Sequence, residues 1–253
     1  MSYVGTKDFF LEVSRGKVAG ASAINKVCHS GDVGTTIKTV GQYGSGQQYV
    51  YPTSATIDYL SSNNAADTHT ITIVGLDASY AVVTQTKTLT GTTPVAIDTP
   101  LLRVNYLYND TSTSTTGTIF LWDSPSGNGT EHTAGVPTTA STVKAFIGAS
   151  TSNGSDEIAL GSVFTIPAGY TGYMIYGDTT VSDQKAMELS FWIQEYGKVP
   201  KIAHHIDIHD NIYGYPFKIS TAVPEKSDVE IKADVDTGTA HVAAHYELIL
   251  FAN

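Results

Sequence analysis

Thr68-His69-Thr70-Ile71-Thr72-Ile73-Val74 is the stretch that decides the fold. Isoleucine alternates with threonine, and β-branched residues at a period of two describe a strand with one face buried and the other wet. Lys201-Ile202-Ala203-His204-His205-Ile206-Asp207-Ile208-His209 has the same texture far downstream. In the run 101–108, Leu102, Val104, Tyr106 and Tyr108 share one side while Arg103 and Asn105 share the other. No comparable stretch carries the i, i+3, i+4, i+7 spacing of a long amphipathic helix. The chain therefore reads as all-β, an antiparallel β-sandwich or jelly roll. Strands are expected near 54–61, 68–75, 81–90, 101–108, 117–122, 143–148, 158–166, 172–177, 186–195, 201–209, 212–220, 228–235 and 241–251.

The first fifty residues have a different texture. Phe9 to Val13 reads as a single strand, followed by Gly-Lys-Val-Ala-Gly-Ala-Ser-Ala and the glycine-rich Gly41–Gly46. Glycine at this density describes an extended, adaptable segment, so residues 1–50 are expected to form an N-terminal arm and 51–253 the sandwich. Residues 123–142 carry almost no core-forming side chains. They read as a long hairpin tip, with a linker between two halves, 51–122 and 143–253, as the other reading.

Composition bounds the function. With 253 residues and 41% hydrophobic side chains, the chain has enough apolar material for one large sandwich or two small ones. Net charge is −10, from 14 basic and 24 acidic side chains, so the basic footprint of a nucleic-acid binder is missing overall. The exception is the start of the chain, with Lys7, Arg15, Lys17 and Lys26, read as a local docking segment. Cys28 is the single cysteine, so the fold stands on packing and suits a protein made in a reducing cytoplasm. No apolar run has the length of a signal-peptide core or a membrane-spanning helix, and no membrane partner is expected. Sequons at Asn109, Asn128 and Asn153 are what an Asn- and Thr-rich chain contains by chance.

The densest polar cluster is His204 to Asp210. On a strand His205, Asp207 and His209 point to one face, a donor set known from transition-metal sites. Alternate side chains on a strand stand roughly 6.6 Å apart, so convergence on one ion needs help, for which His241 and His245 are the available residues. The competing reading is a solvated or interfacial row opposite an isoleucine face. The carboxylates Asp156 and Glu157, Asp178 and Asp183, and Glu225, Asp228 and Glu230 read as ordinary turn acids. Cys28 beside His29 lacks an orienting third group and reads as a small buried residue, and no G-x-S-x-G elbow occurs. The aromatics Tyr170, Tyr173, Tyr176, Phe191, Trp192, Tyr196, Tyr213, Tyr215 and Phe217 read as core and subunit-interface residues, with a sugar-stacking platform as the alternative. No catalytic residue and no cofactor follow from these patterns.

Several stretches resemble a family of tailed-bacteriophage virion structural proteins, common in marine and environmental phages. They are Asp-Phe-Phe-Leu-Glu-Val-Ser-Arg-Gly-Lys-Val-Ala-Gly-Ala-Ser-Ala-Ile-Asn-Lys-Val at 8–27, Thr-Ile-Val-Gly-Leu-Asp at 72–77, Thr-Leu-Thr-Gly-Thr-Thr-Pro-Val at 88–95, Phe-Thr-Ile-Pro-Ala-Gly-Tyr-Thr-Gly-Tyr at 164–173 and Val-Pro-Glu-Lys-Ser-Asp-Val-Glu-Ile-Lys-Ala at 223–233. The family's longer, Trp-containing stretch after the first segment is here short and glycine-rich. The resemblance implies a non-enzymatic virion component, made in the host cytoplasm. As a capsid decoration (cement) protein it would bind the major capsid protein at the capsid surface, as a homotrimer. The alternatives are a tail or collar appendage and a carbohydrate-binding module. Phe9, Phe10, Val13, Arg15, Lys17 and Tyr43 are the expected interface residues.

Overall fold

The structure is a computed structural model that describes residues 8–149, 157–182, 185–209 and 212–253. A short helix, α1 (Phe9–Ser14), precedes β1 (Ala21–Val33) and β2 (Lys38–Thr39). Next come β3 (Ile57–Ser62), β4 (Thr70–Leu76), β5 (Val82–Thr88), β6 (Val95–Leu101), β7 (Arg103–Asn109) and β8 (Ile119–Asp123). The short strands β9 (His132–Thr133) and β10 (Val136–Pro137) lead through a 3-10 turn into β11 (Val143–Ile147). The chain ends with β12 (Phe164–Thr165), β13 (Tyr170–Val181), β14 (Met187–Gln194), β15 (Lys201–Ile208), β16 (Ile212–Val223), β17 (Asp228–Val235) and β18 (Ala240–Ala252). All the pairings are antiparallel, so the all-β sandwich reading holds.

Among the described residues there are two large cores and a third, smaller cluster of Phe120, Trp122 and Val143. In the first sandwich, sheet β1-β18-β13-β16 packs against β12-β17-β14-β15, with β2 added beside β17. Val33, Met174, Leu189, Phe191, Ile231 and Leu248 fill the space between them. In the second, sheet β11-β8-β3-β6 faces β5-β4-β7 around Ile57, Leu60, Ile71, Ile73, Leu107 and Leu121. The second sandwich is thus threaded between β2 and β12 of the first. Ile71 and Ile73, which set the sequence reading, are fully buried in it.

Several expectations change. Phe9–Val13 is helical, because the Asp8 side chain caps it, accepting from the backbone N–H of Phe10 at 3.0 Å and of Leu11 at 3.4 Å. Residues 21–40, expected in the arm, are built into the first sandwich. β1 pairs with β18 from Ala21–Phe251 to Val33–Ala240, and Cys28, Val33 and Val40 have no exposed surface. The run 158–166 is mostly irregular, held by the Leu160 carbonyl accepting from His29 N and by Ser162 N donating to Val40 O. Gly41 makes that contact possible: at φ +78, an added Cβ would lie 2.0 Å from the Leu160 carbonyl oxygen. β8 and β11 pair directly, so 124–142 is the connection of a hairpin. It folds back onto β3, where the Ser61 hydroxyl donates to Gly135 O at 2.7 Å.

Candidate interaction site

α1 lies on the outer face of the β1-β18-β13-β16 sheet. Phe9 stacks on Phe251 with ring centroids 6.3 Å apart, and Val13 is 3% exposed. Phe10 and Leu11 point away and are more than half exposed. Two shallow grooves flank the helix. One, of about 240 Å³, is lined by Phe9, Phe10, Tyr173, Ile175, Ile249 and Phe251; the other, of about 140 Å³, runs between Phe10, Val13 and Ile24. Arg15 is paired with Glu12 at 2.9 Å, and Lys17 is exposed just beyond. Of the six expected interface residues, five therefore gather around one apolar patch, with Val13 as its buried anchor. Tyr43 does not join them.

Tyr43 belongs to a cleft where the two sandwiches meet. Its ring packs edge-on against Phe120 and Phe146, at 5.0 and 5.5 Å between centroids. The cleft measures about 450 Å³, and His29, Asp32, Lys38 and Ile158 line it beside Tyr43 and Phe146. Lys38 is bound to Asp32 at 2.5 Å, so the rim is polar without a strong net charge. An aromatic wall with a few convergent polar groups is the usual build of a small-ligand site.

Behind the cleft, a buried polar seam joins the sandwiches. Arg103 of β7 makes a two-pronged pair with Asp228 of β17, at 2.8 and 3.0 Å. Asp228 also accepts from the Thr165 hydroxyl at 2.5 Å. The Asn105 side chain bonds both backbone groups of Thr165, accepting from N at 2.9 Å and donating to O at 3.0 Å. Lys26 enters from β1 and donates to the Asn105 carbonyl at 2.5 Å, its ammonium over the Tyr106 ring. Burial depresses the Lys26 pKa to about 8 and raises the neighbouring Cys28 thiol to about 12. Glu230 accepts from the Thr39 hydroxyl at 3.0 Å and pairs with Lys232 at 3.2 Å; burial pushes its pKa up. Asp228 and Glu230, read from sequence as turn acids, are structural groups of the interior. Arg103 and Asn105, which alternation sets on the face opposite Leu102 and Val104, are themselves buried, and strand patterning carries no signal of it.

The histidine row stands elsewhere. His205 bonds Ser190 through Nδ1 at 2.9 Å and meets Asp207 through Nε2 at 3.1 Å. His209 lies exposed just past the end of β15. His241 and His245 sit on the outer face of the opposite sheet, His241 against His29 and His245 between Asp178 and Glu247 at 3.5 and 3.8 Å. They do not converge with the row. Among the described residues, no three His, Cys, Asp or Glu side chains are grouped to hold a metal. Of the suggested carboxylate pairs, Asp156 and Asp183 lie outside the described residues. Across the outer face, Asp207 opposes Glu188 and Glu188 opposes Asp234, a ladder of like charge over three strands.

The aromatics divide as well. Phe191 is in the first core against Tyr246, at 5.8 Å between ring centroids, whereas Tyr196 is 64% exposed at the β14–β15 turn. The side chains of Tyr215 and Phe217 lie outside the described residues.

No protein-family model matches the chain, and no curated protein matches it. Among solved structures, that of the infectious bursal disease virus Gt strain aligns at 9% identity and a TM-score of 0.20, covering 92% of this chain and 77% of the other. The VP2 subviral particle of infectious bursal disease virus aligns at 7% identity and a TM-score of 0.19, covering 92% and 76%. TM-scores at this level are below those of a shared fold. No described helix is long and apolar enough to cross a membrane.

Proposed function

We propose that this chain is a non-enzymatic structural protein of a virion, acting as a decoration protein that binds the major capsid protein at the capsid surface and associates with itself as a homotrimer. The observation that carries the reading is the apolar patch at α1. The segment of strongest family resemblance, residues 8–27, is also the place where Phe9, Phe10 and Leu11 stand exposed beside open grooves. Exposed apolar surface rimmed by polar residues marks a contact site. The doubled sandwich with its bonded seam supplies the stiffness that a bracing protein needs.

Copy number in purified particles tests the proposal. A ratio to the major capsid protein near one, or a simple fraction such as one-third, is expected. A handful of copies per particle would instead assign the chain to a tail or collar appendage. A Phe10→Ser/Leu11→Ser variant should keep its stability and lose particle binding, because both side chains are solvent-facing.

The cleft at Tyr43 favours a second reading, a carbohydrate-binding module. The Tyr43 and Phe146 rings offer apolar surface to a sugar, and Asp32 and His29 offer hydrogen bonds to its hydroxyls. Millimolar or tighter binding of a neutral sugar, lost in Tyr43→Ala, would establish it.

A further inference from the structure

β15 is the last strand of its sheet. It pairs with β14 from Ile208–Met187 to Lys201–Ile193, and among the described residues no strand pairs with its other side. A terminal strand presents a row of backbone N–H and C=O groups able to take another chain. Proteins usually blunt such edges with charge, proline or a bulge. Here the devices sit at one end: Lys201, and a bulge at Ala203 where the register shifts between Phe191 and Trp192. From His204 to Ile208 the pairing is regular, with no proline. Beside the edge, Ile202 is 50% exposed and Val199 73%.

The outer face selects the occupant. Asp207, Glu188 and Asp234 stand directly opposite one another on three successive strands. Like charges so placed are destabilising in a sheet. Burial together with Glu188 and Asp236 raises the Asp234 pKa, which His205 partly offsets. The lysines nearby are engaged, Lys232 with Glu230 and Lys185 with the Thr237 carbonyl, and the His205 ring lies against Asp207 at 3.1 Å. The row therefore ends at the free edge with negative charge in excess.

We propose that the β15 edge docks an extended segment of another protein, basic on one face and apolar on the other, as an added strand. Side chains on its outer face would continue the Asp234–Glu188–Asp207 row with the opposite sign. Those on its inner face would lie beside Ile206 and Ile208, which are 8% and 3% exposed. A second copy of β15 fits less well, because it brings its own acidic row to the junction of two chains that each carry a net charge of −10. The inference does not depend on the kind of assembly the chain serves.

Three eight-residue peptides test it: alternating Lys and Val, alternating Glu and Val, and alternating Lys and Pro, which keeps the charge but cannot join a ladder. Binding is read by fluorescence anisotropy, and the site by amide hydrogen exchange. The Lys/Val peptide should bind at least tenfold tighter than either of the others and should slow exchange within 204–208. Glu188→Gln/Asp234→Asn should weaken it about tenfold while the unbound protein stays as stable or becomes more so. Equal binding of the Lys/Pro peptide, protection confined to other strands, or no binding of the Lys/Val peptide would overturn the proposal. Concentration-dependent dimerisation that protects 204–208 without peptide would overturn it in favour of a second copy.

Discussion

Lys26 shows how far a single residue can depart from its pattern. The residue is 4% exposed, and its ammonium donates to the Asn105 backbone carbonyl. The folded-state pKa falls from 10.5 to about 8 because burial penalises the charged form. Between those values the unfolded chain binds more protons than the folded one, so this group's contribution to stability rises with pH across the window. Below pH 8 its cost is present in full, and above 10.5 it is gone. Cys28 has the opposite sign: its thiol is raised from 9.0 to about 12, so its contribution falls as pH rises through that range. Comparison with Lys26→Met isolates the lysine. Wild type should gain about 3 kcal/mol on the variant between pH 7 and 10.5 in urea unfolding. A constant difference across that range would show that the amine is not desolvated in the folded state. Glycine offers a second contrast at this scale. Gly41→Ala should cost several times as much as Gly16→Ala. Both have positive φ, which costs an L-residue roughly 1–2 kcal/mol, but only at Gly41 would the new methyl meet a backbone oxygen.

At the scale of elements, most of the strands were legible because period-two apolar patterning survives in the folded state, as Ile71 and Ile73 show. β1 was not legible because its pattern is inverted. Val27, the apolar residue, is 50% exposed, while Lys26, Cys28 and Ser30 face inward. Small and polar residues on the inner face hide the strand from any hydrophobic rule, and its partner β18 lies more than 200 residues away in the chain. α1 was missed for another reason. Six residues are too few to show a helical period, and only the Asp8 cap distinguishes Phe9–Ser14 from a short strand. The patch itself was legible, since the aromatic pair Phe9-Phe10 stands out in a chain of low charge. Two truncations test this division. Removing residues 1–16 should leave a folded protein, weaker by about 2 kcal/mol for the lost burial of Val13. Removing residues 1–27 deletes the β1 partners of β18 from Ala21 to Val27 and should unfold the first sandwich. Circular dichroism melting separates the two; equal stability of both truncations would contradict the placement of β1.

At the scale of the whole molecule, the relation between the two sandwiches rests on directed bonds, and that decides how the protein unfolds. Arg103 and Asp228 come from different sandwiches and are 125 positions apart in the chain. Nothing in either local sequence marks them as partners, which is why the seam was invisible to strand patterning. A buried ion pair is weak evidence for net stability, but removing one partner leaves a stranded charge at a cost of about 3–5 kcal/mol. Asp228 would then keep only the Thr165 hydroxyl, and Arg103 also holds the Pro52 carbonyl at 2.8 Å. Arg103→Met should therefore separate the thermal unfolding of the two sandwiches, turning one calorimetric transition into two, with the first sandwich, which retains the stranded Asp228, melting earlier. Arg103→Met/Asp228→Leu removes the stranded charge as well and should recover much of the lost stability, because an apolar pair of similar size can fill the same space. If the single variant still unfolds in one transition at the wild-type temperature, the sandwiches are coupled by their apolar contacts alone, and the seam sets only their orientation.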